Sequence, residues 1–133
     1  DMLHILAMCC GYAGRYEEAV HYGKQAIRLS PLAPENSFTE LARAYCHMGR
    51  ANEAIELLKR GLKSRPRWTT FRTLLVFAYV EANKLADAGH QVAEILKVNP
   101  KFSITRWAKL HHYKDPAELE RYLSALRNAG LPE

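Results

Sequence analysis

The stretch GRANEAIELLKRGLKSRP, residues 49–66, has a counterpart upstream in GRYEEAVHYGKQAIRLSP, residues 14–31. Glycine, alanine and proline recur 35 residues apart in these two stretches. A weaker third copy over residues 83–100 keeps an alanine and the final proline but begins with Asn83. A period of about 34 residues with small side chains at fixed positions is typical of stacked helical hairpins, which bury their apolar faces against neighbouring hairpins. The function is therefore expected in a surface rather than in a catalytic centre.

Apolar residues at helical spacing predict three pairs of helices before residue 101. Proline ends each pair, because the residue before a proline is pushed out of the α region. Short turns within the pairs favour antiparallel packing of neighbouring helices. The predicted helices span residues 2–12, 16–29, 35–48, 51–63, 68–82 and 85–98.

Two further helices are predicted after the third pair. Ser103 is a candidate N-cap for a short helix, and Asp115 caps the last helix with Pro116 at its first position. Glu118 is expected to reach back as in a capping box, and Gly130 ends the helix. We expect both helices to form a terminal lid over the apolar face of the third pair, since a last repeat otherwise exposes that face.

The repeat resembles the tetratricopeptide (TPR) pattern W-x2-L-G-x2-Y, then A-x3-F, then P. In the second copy the pattern is carried by Phe38, Leu41, Ala42, Tyr45, Ala54, Leu58 and Pro66. In the first copy the matching residues are Leu3, Leu6, Ala7, Cys10, Ala19, Gly23 and Pro31. The resemblance implies an all-α, right-handed superhelix of three TPR hairpins, at residues 1–31, 35–66 and 67–100, with capping helices over residues 101–133.

The resemblance also implies a protein-binding groove on the concave face, lined by the first helix of each hairpin. Its residues are His4, Met8 and Tyr12 in the first repeat, Asn36, Thr39, Arg43, Cys46 and His47 in the second, and Thr70, Thr73, Phe77, Val80 and Glu81 in the third. Aromatic residues and arginine dominate binding hot spots. Arg43 is therefore interpreted as a central surface charge of small importance for stability. A groove filled by the chain's own C-terminal helices or by a neighbouring molecule is the alternative.

One partner class is excluded by the same resemblance. TPR domains that bind chaperone tails clamp a C-terminal carboxylate with lysine and asparagine from successive first helices. The positions that match this clamp are His4, Met8, Glu40, Thr70 and Leu74. None of them supplies an ammonium or amide group, so we predict no binding of chaperone C-terminal tails.

The tail carries a second, narrower resemblance. FSITRW at 102–107, YKDP at 113–116, ERYL at 120–123 and LRNAGLPE at 126–133 look like the ending of bacterial multidomain adenylate/guanylate cyclases. In those proteins the catalytic domain precedes the repeats, and in related ones a winged-helix domain does. Asp1 lies almost inside the first amphipathic stretch, which suggests a piece of a longer protein. The resemblance implies a C-terminal docking or regulatory module of a bacterial signalling protein; a peptide or small-ligand sensor and a homodimerisation module are alternatives.

Composition and motifs favour an interaction module over an enzyme. The net charge of +5 favours acidic partners and is too small to indicate nucleic-acid binding. No phosphate loop, nucleophile elbow or metal motif occurs, so no catalytic site, cofactor or metal is predicted. The basic run from Lys59 to Arg72 is interpreted as a solvated rim, and no stretch is apolar for the ~18 residues of a membrane span. Three cysteines without metal spacing indicate buried or semi-buried free thiols of a reducing compartment, the cytoplasm, with a Cys9–Cys10 redox pair as the alternative.

Overall fold

The computed structural model describes residues 2–29 and 35–133, with side chains from residue 37 onward in the second range. Those ranges contain helices and no strands, which confirms the all-α class. The predicted helix pairs are all present, and three of their six helices have the predicted bounds. The helices are α1 (Met2–Tyr12), α2 (Tyr16–Leu29), α3 (Glu35–His47), α4 (Ala51–Ser64), α5 (Thr69–Glu81), α6 (Leu85–Val98), α7 (Ile104–Ala108) and α8 (Pro116–Ala129).

Each hairpin turns on a residue in the left-handed conformation. Gly14, Gly49 and Asn83 have φ angles of 83°, 79° and 63° and occupy the same position in the three repeats. Asparagine replaces glycine in the third repeat because its short polar side chain tolerates this conformation. The next residue closes each turn with a 2.8 Å backbone hydrogen bond, from Arg15 to Cys10, from Arg50 to Tyr45 and from Lys84 to Tyr79.

Consecutive helices from α1 to α6 pack against one another, and α3 also contacts α1 and α5. The first helices of the hairpins thus form one layer, and we call its outer side, away from α2 and α4, the concave face. Helix α3 lies at the centre of the stack, and every side chain from residue 37 to residue 47 is buried. The linker predicted over residues 30–34 lies outside the described residues.

The caps of the last two helices are local features that the sequence predicted correctly. The Ser103 side chain accepts a hydrogen bond from the Arg106 N–H, and Asp115 accepts one from Ala117 over 2.9 Å. Gly130 ends α8 with a φ of 112°. The prediction of a capping box is wrong, because the Glu118 carboxylate instead accepts a 3.0 Å hydrogen bond from the hydroxyl of Tyr16 in α2.

The lid contacts the third helix pair, as predicted, but it lies mainly on the first helix of that pair and extends beyond the pair. Helix α8 packs mainly against α5 rather than α6, and its Tyr122 and Leu126 are fully buried. Residues 107–122, the C-terminal segment, cross the concave face as far as the first repeat, where the Lys114 N–H donates to the Tyr12 carbonyl over 2.8 Å. The chain's own C-terminal residues therefore fill a large part of the groove, which was the alternative prediction.

Candidate functional site

The C-terminal segment divides the predicted groove residues into two groups. It contacts one group, which consists of His47, Thr73, Phe77 and Glu81. Beside the segment a cavity of about 230 Å³ remains, the concave cavity, and five predicted residues line it: His4, Tyr12, Thr39, Arg43 and Thr70. Met8 and Val80 are half-buried outside this cavity, Cys46 lies in the core, and the side chain of Asn36 lies outside the described residues.

His47 is the centre of the covered half. Its Nε2 atom shares a 2.7 Å hydrogen bond with the Tyr113 hydroxyl. Burial, together with the charges of Arg121 and Arg43, lowers the pKa of His47 to about 3, so the ring is neutral near pH 7. Its Nδ1 atom lies 3.4 Å from the Glu118 carboxylate without the geometry of a hydrogen bond, and a neutral ring makes no ion pair there. His47 therefore acts as a packed structural residue.

Arg121 connects α8 to the C-terminal end of α3 through hydrogen bonds. Its guanidinium donates to the carbonyls of His47 over 2.9 Å and Cys46 over 3.3 Å. These carbonyls belong to the last turn of α3, which has no helical partners for them and carries the negative end of the helix dipole. The same guanidinium pairs with Glu81 over 2.7 Å. Glu81, predicted as a partner-binding residue, is thus engaged by the chain itself.

A chain of hydrogen bonds connects Tyr122 to α5 and α7. The Tyr122 hydroxyl donates to Thr73 Oγ1 over 2.8 Å and accepts from Trp107 Nε1 over 3.0 Å. Thr73 Oγ1 donates in turn to the Thr70 carbonyl over 2.9 Å. Buried polar groups that are all paired in this way fix one arrangement of the elements that carry them. The C-terminal segment is therefore an integral part of the fold.

Arg43 forms part of the wall of the concave cavity, but it is no surface charge. It is 3% exposed and makes a 2.6 Å ion pair with Glu40, which is also buried. Burial opposes the guanidinium charge, but the Glu40 carboxylate and nearby tyrosines outweigh it and raise the pKa of Arg43. The guanidinium carbon lies 4.9 Å from the centre of the Tyr12 ring. The net charge of this ion pair in the wall is zero. The prediction of an exposed Arg43 is wrong.

Three nitrogen atoms of the cavity walls have no hydrogen-bond partner among the described residues. They are His4 Nδ1, Arg43 Nε and Trp68 Nε1, and the described chain contains only two other buried side-chain atoms of this kind. Burial of an unpaired donor is costly, so most such groups in proteins find a partner. The remaining walls are formed by side chains from α7 and the loop after it: Trp107, Leu110 and His111.

A larger cavity of about 680 Å³, the convex cavity, lies on the other side of α3, between α2 and α4. Its apolar wall residues include Phe38, Leu41 and Tyr45, which carry the repeat pattern of the second hairpin. Charged side chains such as Glu56 and Arg60 also line it. No unpartnered buried polar atom lies in its walls among the described residues. Because polar groups orient a ligand in a pocket, we regard the smaller concave cavity as the candidate site.

The described residues contain no group of three histidine, cysteine or acidic side chains placed to hold a metal ion. His111 is buried, and its Nδ1 lies 2.9 Å from the Trp107 carbonyl. Cys10 and Cys46 are buried as predicted, whereas Cys9 is exposed, and all three are free thiols.

No described helix combines the length and the apolar character needed to cross a bilayer.

Comparison with known proteins agrees with this architecture. Residues 12–75 match the model of the tetratricopeptide repeat family. The structure is similar to the crystal structure of a thermophilic TPR protein from Thermus thermophilus, with a TM-score of 0.61 and 24% sequence identity over 87% of this chain and 73% of that one. No curated protein matches the sequence. TPR arrays generally present a concave surface to protein partners and are typically not catalytic. Residues 12–75 are therefore similar in sequence to tetratricopeptide repeats, and the chain has the fold of a tetratricopeptide repeat protein.

Proposed function

We propose that this chain is a protein-docking module that receives a side chain of a partner protein or peptide in the concave cavity. The observation that carries the proposal is the set of three unpartnered nitrogen atoms on the walls of one cavity. Such atoms gain most from a ligand that supplies their missing hydrogen bonds. The cavity also lies on the face that TPR arrays generally use for partners.

The size of the site limits what a partner can insert. A cavity of about 230 Å³ is smaller than the roughly 300–1,000 Å³ of ordinary small-molecule pockets, so it suits one side chain rather than a folded segment. Leu110 lines the cavity and is 64% exposed, which offers an apolar contact for the partner's backbone or next residue. The site is thus a specificity pocket, with the rest of the groove occupied by the C-terminal segment.

The wider context belongs to the same proposal. Residues 1–100 form the docking frame and residues 101–133 the cap. The motifs that resemble the ending of bacterial nucleotide cyclases support a non-catalytic docking role at the end of a larger signalling protein. Free thiols support a location in the cytoplasm. A net charge of +5 favours acidic partner surfaces over neutral ones.

Selection from a library of displayed random peptides, followed by affinity measurement, tests the docking site. Thr70→Arg places a long side chain at the half-buried wall of the concave cavity, and Glu56→Arg places the same side chain at the convex cavity as a matched control. We expect selected peptides to bind the Glu56→Arg variant as well as the unmodified chain and to lose at least tenfold in affinity for Thr70→Arg. The reverse pattern would move the site to the convex cavity, and failure to select any peptide would contradict the docking function.

Self-association is a second candidate function, because the outer side of α1 is apolar and exposed. Met2 is 76% exposed and Ile5 is 51% exposed, and exposed apolar groups that lie together mark interaction sites. Sedimentation equilibrium of the unmodified chain and of Ile5→Glu tests this candidate. Dimers that dissociate in Ile5→Glu but persist in Leu85→Glu, an exposed site on α6, would support it. A monomer at all concentrations would exclude it.

A further inference from the structure

We propose that the concave cavity recognises a carboxamide, the side-chain amide of a glutamine or asparagine in the partner. This inference rests on the proposed docking function and names the chemical group that the site selects. It is argued from the hydrogen-bonding roles of the three unpartnered nitrogens, from the charge balance of the walls and from the aromatic rings around them.

The donors in the walls require a ligand with an acceptor oxygen. Trp68 Nε1 and Arg43 Nε each carry a hydrogen and cannot accept a hydrogen bond. His4 Nδ1 donates or accepts according to the tautomer of the ring. A carboxamide supplies both kinds of group, a carbonyl oxygen for the two donors and an NH₂ for an accepting histidine. An ammonium group, which only donates, leaves Trp68 and Arg43 without partners.

The charge balance separates a carboxamide from a carboxylate. Arg43 is already neutralised by Glu40 over 2.6 Å, and both side chains line the cavity. A ligand carboxylate would lose its hydration and place a second negative charge beside Glu40 without a free cation among these walls to compensate. A carboxamide has the same shape and the same acceptor oxygen but no charge, so this desolvation penalty is much smaller.

The rings of the walls suit the stem of such a side chain. Tyr12, Trp68, Trp107 and His111 all line the cavity and provide flat surfaces for methylene groups. Trp68 and His4, which carry two of the unpartnered atoms, are only half-buried, although the two atoms themselves are buried. A small rotation of either ring presents its nitrogen to the ligand. Arg43, held by Glu40 and Tyr12, supplies the third unpartnered donor from a fixed position in the lining.

The two tryptophans make the test specific, because the indole N–H region of a ¹H–¹⁵N spectrum contains one signal from each of them. Trp107 Nε1 is already bonded to Tyr122, whereas Trp68 Nε1 has no partner in the described chain. The probes are N-acetylglutamine methylamide, N-acetylglutamate methylamide and N-acetylleucine methylamide. We expect the glutamine probe to move the Trp68 signal downfield in a saturable manner, with affinity roughly tenfold higher than that of the other two probes, the ratio that about one hydrogen bond supplies.

Variants connect the signal to the cavity. Trp68→Phe removes the donor and keeps an aromatic ring, and an unchanged Trp107 signal reports that this variant folds. In it we expect the preference for glutamine over leucine, followed through the backbone signal of Thr70, to disappear. Thr70→Arg provides a second test, since the blocked cavity should leave the Trp68 signal unmoved by the glutamine probe.

The outcomes separate the two proposals. Equal or tighter binding of the glutamate probe would overturn the carboxamide assignment and leave the docking site in place. A Trp68 signal that no probe moves would overturn the inference, and the selected peptides described above would still decide on the docking function. Loss of peptide affinity in Thr70→Arg, combined with glutamine or asparagine recurring in the selected peptides, would support both.

Discussion

The hydroxyl of Tyr122 in α8 donates a 2.8 Å hydrogen bond to Thr73 Oγ1 in α5, and neither residue is exposed to solvent. Thr73 is a residue that the repeat pattern assigns to partner binding. Its partner here is the chain's own last helix, about fifty residues further along the sequence. The C-terminal segment therefore fills part of the concave groove of this TPR array. A small cavity remains where the repeat pattern predicts an extended binding surface.

Replacement of Tyr122 by phenylalanine should weaken the attachment of α8. The change leaves Trp107 Nε1 without its acceptor and removes one of the two hydrogen bonds of Thr73 Oγ1, and a buried unpaired group costs about 1–3 kcal/mol. We expect the free energy of unfolding, measured with urea, to fall by at least 1 kcal/mol. Tyr79→Phe is the control, because the Tyr79 hydroxyl makes no hydrogen bond within the described chain and its loss should cost less than about 0.5 kcal/mol. Equal effects of both variants would contradict this role of Tyr122.

The helices and their turns could be predicted because they depend on neighbouring residues. Proline at residue 66 and a left-handed residue at 14, 49 or 83 act within one turn of chain, as do the caps at Ser103 and Asp115. The family pattern then places the first helices of successive hairpins in one layer. These features do not depend on which residues pack against the concave face.

The state of the groove could not be predicted in the same way. Arg43 and His47 are polar at positions that usually face a partner, so they were interpreted as surface residues. Whether they are exposed depends on a segment more than sixty residues away. One signal was available, since a tail with Trp107, His111, Tyr113 and Tyr122 carries more aromatic surface than a solvated tail needs. The convex cavity could not be predicted because the apolar part of its lining consists of residues that carry the repeat pattern.

The buried pair of Arg43 and Glu40 should be strongly coupled in stability. Removal of one partner leaves an uncompensated buried charge, which costs about 3–5 kcal/mol, in contrast to the small effect expected of a surface arginine. We therefore expect Arg43→Met and Glu40→Gln each to lower the free energy of unfolding by several kcal/mol. The double variant should be more stable than the sum of the single effects predicts, by at least 2 kcal/mol in a double-mutant cycle. Additive single effects would show that the two charges do not compensate each other.

Stability should fall as the pH is lowered from about 6.5 towards 3. Burial lowers the pKa of His47 to about 3 and that of His111 to about 4, while an unfolded histidine titrates near 6.5. Between these values the unfolded chain binds more protons than the folded chain, so the free energy of unfolding rises with pH. The contribution of the two histidines is fully present above pH 6.5. Each histidine contributes a slope of up to about 1.4 kcal/mol per pH unit.

Urea unfolding of His47→Gln at pH 7, 6 and 5 measures this contribution. We expect the loss of stability per pH unit to be smaller in this variant than in the unmodified chain by up to about 1.4 kcal/mol. His90→Gln, at an exposed position on α6, is the matched control and should keep the original slope. An unchanged slope in His47→Gln would mean that His47 is not held neutral in the folded protein.

Two glycines in helices should respond to alanine with opposite signs. A Cβ atom at Gly61 would lie 2.7 Å from Cε2 of the buried Phe71 ring, closer than real Cβ atoms approach their neighbours. At Gly89, in the exposed part of α6, a Cβ atom would meet nothing within 4 Å. Alanine favours a helix over glycine by about 0.5–1 kcal/mol at both sites. Only at Gly61 is this gain opposed by overpacking, which costs about 1–3 kcal/mol.

The sign of each change therefore reports how closely α4 approaches α5. We expect Gly61→Ala to lower the free energy of unfolding by about 1–2 kcal/mol, because Phe71 is fully buried and its ring has little room to move. Gly89→Ala should raise it by about 0.5–1 kcal/mol. The melting temperatures of both variants, compared with that of the unmodified chain, give the sign of each change. Stabilisation of both would show that the second and third hairpins have room to separate, and the close stacking that supports the concave cavity would have to be revised.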